Sequence, residues 1–421
     1  MISGKTVCGL QYAVRKSHSA VAYCALSIKC GTRDEAGYHS GIAHFVEHTL
    51  FKGTSRRSAA VINGYLDRLG GELNAFTTKE EIVFHATVLK EDLSKAASLL
   101  FELATCATFP EHEINTEKGV VIDEIHSYKD TPSEDIYDRF EEMLFKGHPL
   151  SGPILGTAAS VRKITREELL RFVKEKFIPC RMAFTVVADL DEKKMEKDIV
   201  KLSSRFFPDS LECALSQQCS ERENMPHSCC KPQIPQPEHF DKTLSKRNHQ
   251  ANCVIGGLAP SLYQERERLA TVLLCNILGG PANNSILNNV LREKNGWVYG
   301  VECAYTQYAD TGMVAISLGC DKANLDKCLN AIDKEIAKLQ NETLTERKLK
   351  AAKKQLLGQL AISSDNGETQ CLSMGKGLLA YGKITDGKET RSLVDAISAE
   401  DVREMACRIF DPENLSRLIY I

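Results

Sequence analysis

Hydrophobic and polar positions along the chain alternate between two periods. Residues 19–31, SAVAYCALSIKCG, alternate as a half-buried strand does. Helical spacing follows over 41–52 and 59–69, then the turn Gly70-Gly71 and a strand-rich stretch over 73–89. Segments 91–106, 111–128 and 133–145 repeat apolar residues at helical spacing. A further helix over 164–177 opens with Thr165-Arg-Glu-Glu168, the pattern of a capping box, and a strand over 181–188 follows it.

The same order then returns. Residues 250–257 read as a strand, 265–278 as a helix stopped by Gly279-Gly280, and 285–294 as a helix stopped by Asn295-Gly296. Residues 299–318 are strand-rich, 322–339, 345–361 and 399–409 helical, and 415–420 a last strand. A repeat of roughly 230 residues is a duplicated domain, too long for a solenoid unit. Residues 211–242 hold four Pro with Ser, Gln and His, the composition of a linker. The expected organisation is therefore α+β, with domains at 1–210 and 243–421 joined by 211–242.

Composition narrows the function. At 421 residues, 43% hydrophobic and 26% charged, the chain has the make-up of a folded protein. Lys plus Arg is 53 against 56 for Asp plus Glu, a net charge of −3, so no nucleic-acid partner is expected. No apolar run approaches the ~18 residues of a membrane span, and no membrane partner is expected. Residues 1–16 lack the apolar core of a signal peptide and the Arg- and Ser-rich pattern of a presequence. A cytoplasmic location is expected, bacterial in preference to organellar, because a strand-like segment at 8–15 follows closely on Met1. The 16 Cys include no CxxC and are expected as reduced thiols, which argues against a redox or metal-storage protein. Cys213, Cys219, His227, Cys229, Cys230 and His239 crowd the linker at spacings that fit no zinc finger. The basic run 348–354 reads as a solvated face, and Gly375-Lys-Gly377 lacks a phosphate-loop context.

The chemistry lies in Gly41-Ile-Ala-His-Phe-Val-Glu-His48. On a helix His44 and His48 share one face a turn apart, the spacing two imidazoles need to reach one metal ion. Glu47 lies in the same sector, able to touch a metal-bound water without being a ligand. A catalytic zinc site needs a third protein ligand. The helix over 113–128 offers Glu117 and Glu124, seven apart and so on one face, with Asp123 an alternative that spacing alone does not exclude. One acid would bind metal while another accepts a hydrogen bond from a ligand imidazole.

HFVEH followed by LFKGT, GGELNAFTTKE and EKGVVIDEI resembles the pitrilysin, insulysin and mitochondrial processing peptidase family, whose inverted HxxEH motif marks the inverzincins. The similarity runs over nearly the whole chain, duplication included, and points to a small bacterial branch. It implies two homologous α/β-sandwich domains, each an antiparallel-rich sheet covered by helices, forming half of a clam-like chamber. It implies one Zn²⁺ per chain held by His44, His48 and Glu124, with Glu117 orienting a ligand histidine and Glu47 as general base. Asn74, Ala75 and Phe76 resemble the family's substrate-facing edge strand. The second half has no HxxEH, but Arg292 and Tyr299 match an Arg and a Tyr that active members place seven apart, where they donate to the substrate carbonyl. The implied function is a zinc metalloendopeptidase acting on peptides or unfolded polypeptide segments within an enclosed chamber, working as a homodimer. The alternative is a non-catalytic subunit of a heterodimer, against which stands the presence of all seven positions.

Overall fold

The computed structural model describes residues 1–208, 239–246 and 248–421, so most of the expected linker and Cys213, Cys219, His227, Cys229 and Cys230 lie outside the described residues. Eleven strands are described: β1 (Ile2–Lys5), β2 (Gln11–Lys16), β3 (Val21–Ile28), β4 (Glu72–Thr77), β5 (Ile82–Leu89), β6 (Met182–Ala188), β7 (Asp241–Leu244), β8 (Gln250–Ala259), β9 (Val298–Gln307), β10 (Gly312–Asp321) and β11 (Ser416–Tyr420). The helices up to residue 208 are α1 (Ile42–Leu50), α2 (Ala59–Asp67), α3 (Leu93–Cys106), α4 (Glu111–Lys129), α5 (Pro132–Leu144), α6 (Ala158–Val161), α7 (Arg166–Lys176) and α8 (Glu192–Phe206). Those after residue 248 are α9 (Glu265–Gly279), α10 (Leu325–Asn341), α11 (Glu346–Ser363), α12 (Gly367–Tyr381), α13 (Gly387–Asp395) and α14 (Ala399–Ile409). No described helix is long and apolar enough to cross a membrane.

The chain divides into two compact units. The described residues of the first fall within 1–125, 152–231 and 362–385. Its sheet has the order β1-β2-β6-β3-β5-β4, antiparallel except for the pair β2 and β6. Every residue of β6 is buried, because both faces of this central strand are covered. Met182, Phe184 and Val186 point into the main core with α1 and α3. Ala183 and Val187 point into a smaller core closed by Cys371, Met374, Leu378 and Leu379 of α12.

The second unit falls within 126–151, 232–361 and 386–421. Its sheet has the order β7-β11-β8-β10-β9, again with one parallel pair, β7 and β11. Strand for strand this repeats β2-β6-β3-β5-β4, so the duplication seen in the pattern of elements is a duplication of topology. One face carries the core shared by α9, α10 and α14. The other packs Ile136, Phe140 and Leu144 of α5 against Val254, Ala315, Leu418 and Tyr420. The fold is thus two α/β domains of mixed, mainly antiparallel sheets covered by helices.

Three local expectations change. The helix expected over 285–294 is a wider π-type turn at Asn288–Glu293. The capping box at α7 forms only by half: Thr165 Oγ1 accepts from the Glu168 amide at 3.3 Å. The Glu168 carboxylate instead receives the His39 amide at 2.7 Å. Cys180 is disulfide-bonded, an exception to the expectation of reduced thiols.

Candidate metal centre and active site

The site is built on α1, and α1 is fixed at both its start and its buried face. Gly41 at the N-cap has φ 88°, and a Cβ there would stand 2.7 Å from the Leu155 carbonyl oxygen. Gly156 faces it with φ 70°, where a Cβ would come within 2.4 Å of the Ser40 carbonyl oxygen. Two backbones meet at a distance that only glycine allows. The Glu35 carboxylate then accepts the free amides of Gly41 and Ala43 at 2.9 and 3.0 Å. Burial raises the Glu35 carboxyl to about 7 despite these two hydrogen bonds. Ile42, Ala43, Phe45, Val46 and Leu50 have no exposed surface, so the helix cannot rotate without opening the core.

With those residues inward, His44 and His48 stand together, ring centroids 4.6 Å apart. The Nε2 atoms of His44 and His48 lie 3.8 and 3.4 Å from one atom, Glu124 Oε2. That oxygen is buried and has no hydrogen-bond partner. Two donors bound to zinc at ~2.0–2.1 Å in a tetrahedron stand about 3.3 Å apart. An unpaired buried carboxylate oxygen facing two imidazole nitrogens at this spacing fits a zinc ion. His44, His48 and Glu124 also form the one described group of three or more potential ligand residues, with donor atoms within 4.8 Å of one another. Burial, with the neighbouring His48, depresses His44 to about 3, leaving a neutral imidazole with a lone pair for metal. Asp123, the alternative acid, is exposed on α4 and outside this group.

Glu117 takes a different place. It falls within the buried stripe of α4 with Ile114, Val121 and Ile125. Its Oε1 meets His48 Nδ1 at 2.9 Å, and its Oε2 accepts from Lys52 Nζ at 2.7 Å. Burial works to raise this carboxyl, but the hydrogen bonds from His48 and Lys52 outweigh it and hold the group below its usual range. A carboxylate on Nδ1 fixes the tautomer that leaves Nε2 free as a ligand.

Glu47 is outside the ligand group and accepts a hydrogen bond from Thr77 Oγ1 at 2.6 Å. Burial raises its carboxyl, partly offset by Thr77 and His48. Thr77 ends β4, the edge strand of its sheet, paired on one side with β5. Asn74, Ala75 and Phe76 lie on this edge, with Phe76 37% exposed.

The insulinase (peptidase family M16) profile matches residues 12–158, the stretch that contains all of these groups, and the profile of the M16 inactive domain matches 163–356. The chain belongs to the M16 peptidase family. Its M16 relatives include the zinc protease YmxG of Bacillus subtilis, 29% identical over 93% of this chain and 91% of that protein. A Rickettsia felis zinc protease is 29% identical over 94% of this chain and 91% of its own. Both relatives are described as uncharacterized. The crystal structure of a protease from Helicobacter pylori shares the fold with a TM-score of 0.86 at 19% identity, covering 100% of this chain and 99% of that one. An M16 inactive domain from Pseudomonas fluorescens superposes with a TM-score of 0.83 at 18% identity, covering 100% and 97%.

In the part matched by the M16 inactive-domain profile, α9 replaces the motif helix and carries no His. Arg292 lies in the π-type turn, half exposed, with its Nε 3.9 Å from Glu293. Tyr299 is 62% exposed on the edge strand β9, and its hydroxyl donates to Asp321 Oδ1 at 2.9 Å. Both belong to the second unit. Three residues of the first unit were not among the expected site: Lys52, Thr77 and Glu35. Lys52 and Thr77 lie inside the LFKGT and NAFT stretches, next to expected residues, but their partners are 65 and 30 positions away, from Lys52 to Glu117 and from Thr77 to Glu47.

Proposed function

We propose that the protein is a zinc-dependent metalloendopeptidase that hydrolyses peptides or unfolded polypeptide segments. The observation that carries this is the unpaired Glu124 Oε2 facing the Nε2 atoms of His44 and His48, with Glu47 one residue from His48. His44, His48 and Glu124 would hold the ion, one per chain, since the second unit offers no such group among its described residues. When bound, zinc supplies a Lewis acid for the scissile carbonyl and lowers the pKa of a coordinated water to about 7.

The chain's own residues do the rest. Glu47 takes a proton from the attacking water and returns it to the leaving amine. Its desolvated carboxyl, held above the usual carboxylate range, takes up a proton more readily than an exposed glutamate does. Glu117 keeps the His48 ring in register. The free edge of β4 at Asn74, Ala75 and Phe76 offers main-chain hydrogen bonds to an extended peptide, which selects for backbone and little for sequence. Arg292 and Tyr299 complete this reading as donors to the substrate carbonyl.

Metal analysis and cleavage of a quenched peptide, with and without chelator, test it. The parent should carry about one zinc per chain and lose cleavage to chelator. Glu47→Gln should keep zinc and lose cleavage by at least the roughly 10²–10⁴-fold that a general base supplies. Near-normal cleavage by the zinc-loaded Glu47→Gln protein would exclude it as base. A parent with neither zinc nor cleavage would favour a non-catalytic subunit.

A further inference from the structure

Glu47 and the peptide-binding edge are joined by one hydrogen bond, from Thr77 Oγ1 to Glu47 Oε2. Thr77 is the last residue of β4, in register with Ile82, and both ends of the bond are held by a single segment. The turn after Thr77 closes on itself, as the Thr78 hydroxyl accepts the Glu81 amide at 2.9 Å. The Thr32 amide then donates to the Thr78 carbonyl at 3.2 Å, and the Arg33 amide to the Lys79 carbonyl at 3.0 Å. Two residues on, Glu35 caps the start of α1. Residues 32–35 therefore fix the end of β4 and the origin of the Glu47 helix in one frame.

Glutamate has three side-chain torsions and two equivalent oxygens, so burial alone does not choose which oxygen meets a water. The Thr77 hydroxyl occupies Oε2 and leaves Oε1 for the proton. We infer that Thr77 is a positioning residue for Glu47, through which the strand that pairs with the substrate main chain sets the orientation of the base. This rests on the reading of Glu47 as general base. A peptide added to β4 stiffens that edge, and the hydrogen bond carries the stiffening to Glu47. The effect belongs to turnover, since Thr77 presents its hydroxyl to Glu47 and its backbone to the sheet.

Thr77→Val keeps the shape and removes the donor; Thr77→Ser restores the donor. Both variants should carry the parent's zinc and melt within a few degrees of it. In the quenched-peptide assay Thr77→Val should lower kcat on the order of tenfold with KM within about twofold, and Thr77→Ser should recover most of it. Should Thr77→Val fail to fold, Thr77→Ala provides the same split. In a Glu47→Gln background, adding Thr77→Val should leave peptide affinity unchanged, because the bond it removes no longer serves a base. An unchanged kcat in zinc-loaded Thr77→Val, a rise in KM alone, or a Thr77→Ser variant as slow as Thr77→Val overturns the inference. An inactive Glu47→Gln beside a fully active Thr77→Val overturns this inference alone. A fully active Glu47→Gln removes the base and this inference together.

Discussion

Lys52 Nζ stands 2.7 Å from Glu117 Oε2, on the carboxylate whose other oxygen meets His48 Nδ1 at 2.9 Å. A cation, an anion and an imidazole thus form one line ending at the Nε2 that faces Glu124. Glu117→Gln is expected to weaken zinc binding or activity by roughly 10–100-fold. Lys52→Met should act in the same direction by less, and Lys52→Arg should preserve most of the affinity. Competition with a chromophoric chelator reads all three; a Lys52→Met protein with parental affinity would show that Glu117 needs no cation.

The two acids side by side on α4 should separate sharply. Glu124→Gln replaces the carboxylate that both Nε2 atoms face with a neutral amide, and zinc should be largely lost on dialysis. Asp123→Asn, exposed and outside the ligand group, should keep about one zinc per chain. Metal content by atomic emission that ranks the two variants the other way would move the third ligand to Asp123.

Glu35 gives a pH signature in stability. Its carboxyl is raised from 4.5 to about 7 in the folded protein, chiefly by burial. Between those values the folded state holds the extra proton, so stability contributed by this group falls as pH rises through the window. Relative to Glu35→Gln, the parent should lose about 2–3 kcal/mol between pH 4.5 and 7, with the loss levelling off about a unit above 7. Urea unfolding of both proteins across that range checks the difference; a gap independent of pH would mean that the carboxyl titrates normally.

Tyr299→Phe should leave zinc content and melting temperature at parental values, since Tyr299 is exposed and its hydroxyl bonds Asp321 at the surface. If the phenol donates to charge developing on the carbonyl oxygen, kcat should fall with a loss of up to roughly 2.7–4 kcal/mol in transition-state stabilisation. Single-turnover kinetics at saturating peptide measure it. Parental kcat would confine Tyr299 to its bond with Asp321.

Leu378→Ala should destabilise a sheet whose strands lie roughly 190 to 365 residues earlier in the chain. Leu378 is 3% exposed and packs on Ala13, Ala25, Val83, Ala183 and Val187. Loss of a buried leucine costs about 2–5 kcal/mol, readable as a shift in the urea midpoint. A chain ending after the first sequence repeat lacks α12 altogether and would expose this core, so activity tests belong on the full chain.

Local pattern carried much of this protein. Periodicity gave most elements from β3 through β6 and most of their return from β8 to β11, though not α6, α12 or α13, because strand and helix periods arise from burying one face and are written in successive residues. The spacing of His44 and His48 gave the two-imidazole face for the same reason: a helix turn is a local rule. Resemblance to known motifs then ranked Glu124 over Asp123, which spacing had left open.

The tertiary structure decided the rest, wherever the partner lies far along the chain. α12 was not anticipated: its sequence carries Gly367, Gly375 and Gly377, which weaken a helical signal, and its apolar face acquires meaning only against β3 and β6. Glu117 became buried only because His48 and Lys52 were brought to it, and the capping box of α7 opened because His39 competed for Glu168. Thr77 and Glu47 meet through a strand end and a helix both fixed by residues 32–35. Hydrogen bonds and ion pairs depend on distances of a few tenths of an ångström, and no spacing rule reaches across a folded chain to set them.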